Sequence, residues 1–158
     1  MLNKMLSLAA TMHNTQVDLA GVQYIFHIMR VTENCRQMWG HKDEELLAIA
    51  AGHDLLEDTV CSKATIFFEF GERVHDAIVA LSKYEGQTYE EYQAAVLANE
   101  DAMRVKLADL KDNMDISRYG ENYDVDKVAK RFRKYAAFDA LIRERLEELD
   151  AQTLMGIY

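Results

Sequence analysis

AIAAGHDLLEDTV, Ala48 to Val60, is the stretch whose reading decides the fold. Leading into it, Leu46, Leu47, Ala48, Ile49, Ala50 and Ala51 run without a polar break. That pattern reads as a helix apolar on every side, and so as one buried at the centre of the protein. His53, Asp54, Glu57 and Asp58 then enter the same buried helix. At 3.6 residues per turn, His53 stands one turn from Glu57 and Asp54 one turn from Asp58. Three carboxylates crowded into a core cannot all stay ionised without compensating positive charge, and a divalent metal ion is the economical source. The ordinary alternative is an exposed helix end with surface charges; the all-apolar approach argues against it.

Outward from this stretch, the 158 residues contain no proline and seven glycines, so helices are easy to place and strands hard to bound. Helices are expected over Met1 to about His13, Tyr24 to Met38 and the central segment, with a polar loop from Asn14 to Gly21. Thr59 and Ser62 offer caps for a short helix that Gly71 ends. Val74 to Leu81, Tyr89 to Ala98, Asp101 to about Ile116 and Asp124 to about Leu149 follow. No strand pattern, repeat or linker competes. The expected fold is all-α, a single domain over residues 1–158 with roughly seven to nine helices around the central one.

Composition narrows the function. With 49% hydrophobic and 28% charged residues, the chain reads as an ordinary soluble globular protein. A net charge of −9 argues against a non-specific nucleic-acid binder or a protein bound to an anionic membrane. A small phosphorylated substrate stays open, because local positive charge and a metal outweigh the global field. Cys35 and Cys61 have neither a disulfide framework nor metal-ligand spacing, and read as buried thiols in a reducing cytosol. No signal peptide or membrane span is evident, so a cytoplasmic protein is expected.

Two further places carry polar residues where the helical pattern wants apolar ones. His27 lies within YIFHIM; alone, a histidine on such a face is more often a hydrogen-bonded core residue than a ligand. Asp109 shares a stripe with Ala102, Val105 and Ile116, one turn from Asn113, and a salt bridge to Lys106 would account for it. Together with His53 and Asp54, however, these residues make two imidazoles and two carboxylates on three helices. That set suits a divalent transition metal such as Mn, Fe, Co or Zn.

The ordered set His27, His53-Asp54, Asp109 resembles the H…HD…D signature of the HD-domain metal-dependent phosphohydrolases. More narrowly, the chain resembles the hydrolase domain of the RelA/SpoT alarmone enzymes and their small stand-alone relatives. HDLLEDT matches their HD-x-x-ED-T motif, and Ala9, His13, Gln16, Gly21, Tyr24 and His27 match a second. VKLAD with Asn113, Arg131 and Tyr135 as R-x-x-x-Y, Phe70-Gly71 and Leu81 to Lys83 extend the likeness. It runs from about Ala9 to Tyr135.

The resemblance implies one divalent ion, manganese first with Zn, Fe, Co or Ni as alternatives, held by His27, His53, Asp54 and Asp109. It also implies cleavage of pyrophosphate from the 3′ position of guanosine tetra- or pentaphosphate. Glu57 and Asp58 would flank a metal-activated water, Glu57 as general base. Arg131, Tyr135, Asn113 and Lys106 are the substrate-binding candidates that go with it. The chain departs from the family's pattern after Gln16, where Asp18 and Leu19 stand in place of an Arg-Lys pair. An aspartate there is expected to repel a phosphate or to meet a hydrogen-bond donor of the substrate. Gln23 and Ile28 replace prolines, and Leu110-Lys111 replaces Arg-Leu. Two other functions stay in play: an HD phosphohydrolase of another nucleotide (a nucleoside 5′-phosphate or a deoxynucleoside triphosphate), and a low-turnover metal- or nucleotide-sensing module. The Glu57-Asp58 pair counts against the sensor. His13, His41 and His75 are read as structural or surface residues, and Trp39, Tyr84, Tyr89 and Tyr92 as packing.

Overall fold

Leu46 to Gly52 are all buried, as the unbroken apolar run requires, and the other helices are arranged around them. The computed structural model describes residues 1–119 and 123–156; residues 120–122 and 157–158, within the expected domain, lie outside the description. The elements are α1 (Leu2–Met12), α2 (Ile25–Trp39), α3 (Glu44–Gly52), α4 (Leu55–Asp58) and α5 (Lys63–Phe70). Then come α6 (Glu72–Leu81), α7 (Tyr89–Leu97), α8 (Glu100–Asn113), a 3₁₀ turn (Ile116–Arg118) and α9 (Val125–Leu154). Among the described residues there is no strand, only an isolated bridge between Val17 and Gln23. The fold is all-α.

Helix α3 packs against α1, α2, α6 and α8, and α2 lies along α8. Gly52 permits the closest approach: a Cβ there would stand 2.7 Å from Met5 Sδ and 2.9 Å from Ile78 Cδ1. Side-chain caps fix where helices begin. Asp43 accepts from the Leu46 amide, Ser62 from Thr65, Asn99 from Ala102, and Thr88 forms a capping box with Glu91. Arg73 at the start of α6 bridges Asp43, Glu45 and Asp101, tying α3 to α8.

Most boundaries fall within two residues of the sequence expectation, and three differ by more. The central helix is not continuous, because α3 stops at Gly52 and α4 starts at Leu55. His53 Nδ1 lies 2.9 Å from the Ala50 carbonyl, the acceptor that a continuing helix would give to the Asp54 amide. Asp54 accordingly sits at φ −100°, ψ 0°. Helix α8 ends at Asn113, before Ile116, because Asp115 caps the following 3₁₀ turn through Ser117. Helix α9 runs past Leu149 to Leu154. Among the described residues no helix is long and apolar enough to cross a membrane.

Candidate metal centre and adjoining pocket

His27 from α2, His53 and Asp54 from the α3–α4 junction and Asp109 from α8 converge on one point. His53 Nε2 lies 2.9 Å from Asp54 Oδ2 and 3.7 Å from Asp109 Oδ1. His27 Nε2 lies 3.5 Å and 3.4 Å from the same two oxygens. Atoms of His27, His53 and Asp109 all fall within 4.8 Å of one another. Four donors at roughly 2.1 Å from a shared ion would stand roughly 3.4 Å apart in a tetrahedron, and these spacings bracket that value.

The tautomers follow from the far side of each ring. His27 Nδ1 is 2.7 Å from Asp112 Oδ2, and His53 Nδ1 faces the Ala50 carbonyl, so each Nδ1 carries the proton. Both Nε2 lone pairs then point inward, and His53 Nε2 is buried without a hydrogen-bond partner. Burial works against a charged His53, yet Asp54 and Asp109 hold it well above the usual imidazole range. His27 is raised in the same way: burial opposes its charge, and Asp112 and Asp54 outweigh the burial. Against their own burial, the Asp54 carboxyl is pulled down by His53 and that of Asp109 by Lys106 and His53. Protons on the two Nε2 atoms or one cation at the centre can answer the two carboxylates, and a metal ion that displaces those protons gains both Nε2 lone pairs. The donor set fits a divalent metal ion.

A surrounding layer aims these donors. Tyr24 Oη donates to Asp54 Oδ2 at 2.6 Å. Lys106 Nζ contacts Asp109 Oδ2 at 2.8 Å and lies over the Tyr92 ring, and Asn113 Nδ2 donates to Asp109 Oδ1. Lys106 and Asn113, expected to meet substrate, thus face a metal-site carboxylate. A buried Asp109 needs both partners, and positions three before and four after it on α8 supply them. Asn113 also lines the adjoining cavity; Lys106 does not.

Glu57 and Asp58 are exposed on α4, directly after Asp54 of the cluster. Partial desolvation, then the charges of Asp54 and Asp58, push the Glu57 carboxyl up from its ordinary value. Asp58 rises through partial desolvation and the charge of Asp54. Glu57 Oε2 accepts the Lys83 amide at 2.8 Å, which fixes its carboxylate from the end of α6.

A cavity of about 410 Å³ opens beside His27. Its walls include Asp18, Asn113, Arg118, Tyr119, Arg131 and Tyr135. Asp18, expected to repel a phosphate, is already paired: Arg118 Nη2 lies 3.2 Å from Oδ2, and the Ala20 and Val22 amides donate to Oδ1 at 2.9 and 3.0 Å. The reason lies in the fold, which brings a guanidinium from 100 residues away against it. Arg131 Nη1 contacts Tyr119 Oη at 3.4 Å and has no carboxylate partner among the described residues.

No protein-family model matches the chain. It is 32% identical over 108 residues to a protein of Aquifex aeolicus (strain VF5) named guanosine-3′,5′-bis(diphosphate) 3′-pyrophosphohydrolase. The match covers 65% of this chain and 15% of that one. A protein of Synechocystis sp. (strain ATCC 27184 / PCC 6803 / Kazusa), named a probable enzyme of the same activity, is 30% identical over 148 residues. Here 92% of this chain and 18% of the relative are covered. The chain is related to the RelA/SpoT-type hydrolases. It spans less than a fifth of the length of these curated relatives. Among solved structures, one described as a metazoan ortholog of SpoT that hydrolyzes ppGpp superposes with a TM-score of 0.73 at 22% identity. The superposition covers 96% of this chain and 94% of that one, and shows a common fold.

Against this RelA/SpoT-type background, four residues stand at the site that the sequence reading did not place there. Asp112, 3% exposed, accepts from His27 Nδ1, from Arg30 Nε at 2.7 Å and from Arg118 Nη1. Its signal was an acidic residue on the helical stripe that runs through Val105, Ala108 and Asp109. Arg118 carried no periodic signal. Tyr24 entered only as a motif position. His13 is buried, the structural one of its two expected roles; its Nδ1 is 2.7 Å from Gln16 Oε1, and Gln16 Nε2 donates to the Asp58 carbonyl at 2.6 Å. His41 is exposed and His75 partly so, as expected.

Proposed function

We propose that this chain is a metal-dependent nucleotide pyrophosphohydrolase, acting on guanosine 3′,5′-bis(diphosphate) or its pentaphosphate counterpart and releasing pyrophosphate from the 3′ position. The observation that carries the reading is the convergence of the Nε2 atoms of His27 and His53 with Asp54 and Asp109, next to a cavity that is reached at His27 and holds two guanidiniums. His27, His53, Asp54 and Asp109 would hold the ion, manganese first, with Zn, Fe, Co or Ni as alternatives. Such an ion supplies Lewis acidity and brings the pKa of bound water toward neutrality.

The chain's own residues do the rest. Glu57, anchored through Oε2 to the Lys83 amide, keeps Oε1 to accept a proton from the attacking water. Its raised pKa makes it a stronger proton acceptor than an ordinary carboxylate. Asp58 provides a second carboxylate beside it, able to hold a proton for the leaving oxygen. Arg131 takes a phosphate group at the cavity wall, and Tyr135 and Tyr119 offer faces and hydroxyls for the nucleoside. Asn113 serves mainly by orienting Asp109. The substrate of this reading is a small nucleotide, with nucleic acid disfavoured by the net charge of −9, and the compartment that goes with it is the cytoplasm. Pairing of Asp18 with Arg118 removes the main reason for preferring a different nucleotide.

The test is a nucleotide panel incubated with added Mn²⁺ and read by product identity. Guanosine 3′,5′-bis(diphosphate) should give pyrophosphate and guanosine 5′-diphosphate. Preferential cleavage of a nucleoside 5′-phosphate or a deoxynucleoside triphosphate would reassign the substrate. Turnover of nothing on the panel would leave the sensing module as the better reading.

A further inference from the structure

We propose that Arg118 is the specificity-determining cation of the cavity and that Asp18 holds its place: a phosphate group of the ligand displaces the carboxylate. This inference rests on the cavity being the substrate site. Arg118 sits on the 3₁₀ turn, at the cavity wall, with its side chain 17% exposed. Its Nη1 is anchored from behind by the Asp112 carbonyl at 3.0 Å and by Asp112 Oδ2. That leaves the edge formed by Nε and Nη2, two parallel donors whose natural complement is two oxygens of one carboxylate or phosphate.

Asp18 fills this edge badly. Its Oδ1 is taken by the Ala20 and Val22 amides, so only Oδ2 is offered, at 3.2 Å from Nη2. Arg118 Nε is buried with no hydrogen-bond partner. A buried donor without an acceptor is costly, and a phosphate supplying two oxygens would satisfy both nitrogens and bring more charge. Asp18 would lose little in giving way, because its two backbone amides remain. The segment that carries it is peripheral: Leu19, next in sequence, is 78% exposed. Arg131 on the same cavity has no carboxylate partner among the described residues, so the two guanidiniums differ in kind. One stands open to an anion, and the other releases an internal anion to take an external one. A ligand with two separate phosphate groups matches that pair.

The test is calorimetric titration of the full chain with inorganic pyrophosphate, comparing wild type, Asp18→Asn, Arg118→Gln and the double variant. Asp18→Asn keeps the oxygen that caps the turn but removes the competing charge, and should bind pyrophosphate several-fold tighter. Arg118→Gln should bind roughly tenfold more weakly, and in that background Asp18→Asn should gain nothing. Arg118→Lys, which keeps the charge but loses the two-donor edge, should fall between and guards against a folding defect in Arg118→Gln. Unchanged or weaker binding by Asp18→Asn overturns the proposal. So does an equal gain with Arg118 removed, or no pyrophosphate binding by any variant. Should the pyrophosphate pattern hold while no nucleotide is turned over, the exchange at Arg118 stands and the assigned reaction falls.

Discussion

The metal centre and the cavity beside it touch at His27, yet they are built from different parts of the chain. The four donors come from α2, α8 and the α3–α4 junction, and His27, His53 and Asp109 are buried among helices that pack against one another. The cavity is walled by the loop before α2, the 3₁₀ turn and the early part of α9, where Val17 and Leu19 are exposed. In the first region every donor is oriented by a second group, so a substitution leaves a buried partner unsatisfied. In the second, an aspartate at position 18 is met by one arginine from the 3₁₀ turn. The difference teaches where each property resides: chemistry in the core, where change is costly, and recognition in connecting segments, where change is tolerated.

The largest effect is expected at Glu57, which adjoins the cluster without being one of its four donors. Glu57→Gln should lower turnover by roughly 10²–10⁴-fold while metal uptake stays intact, measured as steady-state rate against metal content. Loss of metal together with rate would make Glu57 part of the centre and blur the division. Asp112 sharpens the comparison because it touches both regions, through His27 and through Arg118. Asp112→Asn should weaken metal affinity by about 10–100-fold, as loss of a carboxylate behind a ligating histidine does. It should also weaken pyrophosphate binding, whereas Arg131→Gln should weaken only the latter. Titrations with Mn²⁺ and with pyrophosphate separate the two.

The smallest effects, shifts of about a few degrees in melting temperature, have opposite signs in the two regions. Asp18 has its carboxyl lowered: burial raises it, but the Val22 amide and Arg118 outweigh that. It therefore adds stability above the ordinary carboxylate value of 3.8, and that stability fades as pH falls through the lowered one. Asp18→Asn should melt below wild type at pH 7, with the gap closing in acid. Glu57 is raised, so its contribution is present below 4.5 and is lost as pH rises through the folded value. Metal-free Glu57→Gln should melt above wild type at pH 7, with no such advantage at pH 4. Like signs for the two variants at neutral pH would contradict the electrostatic contrast.

How much of this was legible in the sequence follows the same division. Helix positions were readable because apolar periodicity ran between glycines and caps with no proline to interrupt it. The donors were readable because His27, His53, Asp54 and Asp109 put polar groups into apolar stripes. The break at His53-Asp54 was not, since the side chain of His53 competes for a backbone carbonyl and leaves the residue pattern unchanged. Nor was the direction of Lys106 and Asn113: spacing put them one turn from Asp109 but did not say whether they face it or the pocket. Asp112 and Arg118 act through partners 85 and 100 residues away, distances over which periodicity carries no information.

The central claim is that the buried cluster holds a divalent ion, and titration with Mn²⁺ followed by thermal melting tests it most directly. Wild type should bind about one ion per chain and gain about 2.7 kcal/mol of stability at a hundred times the dissociation constant. His53→Ala, which removes one inward lone pair, should show neither the binding nor the gain. A wild-type melting temperature indifferent to Mn²⁺, Zn²⁺, Co²⁺ and Ni²⁺, or an equal response in His53→Ala, would contradict the account.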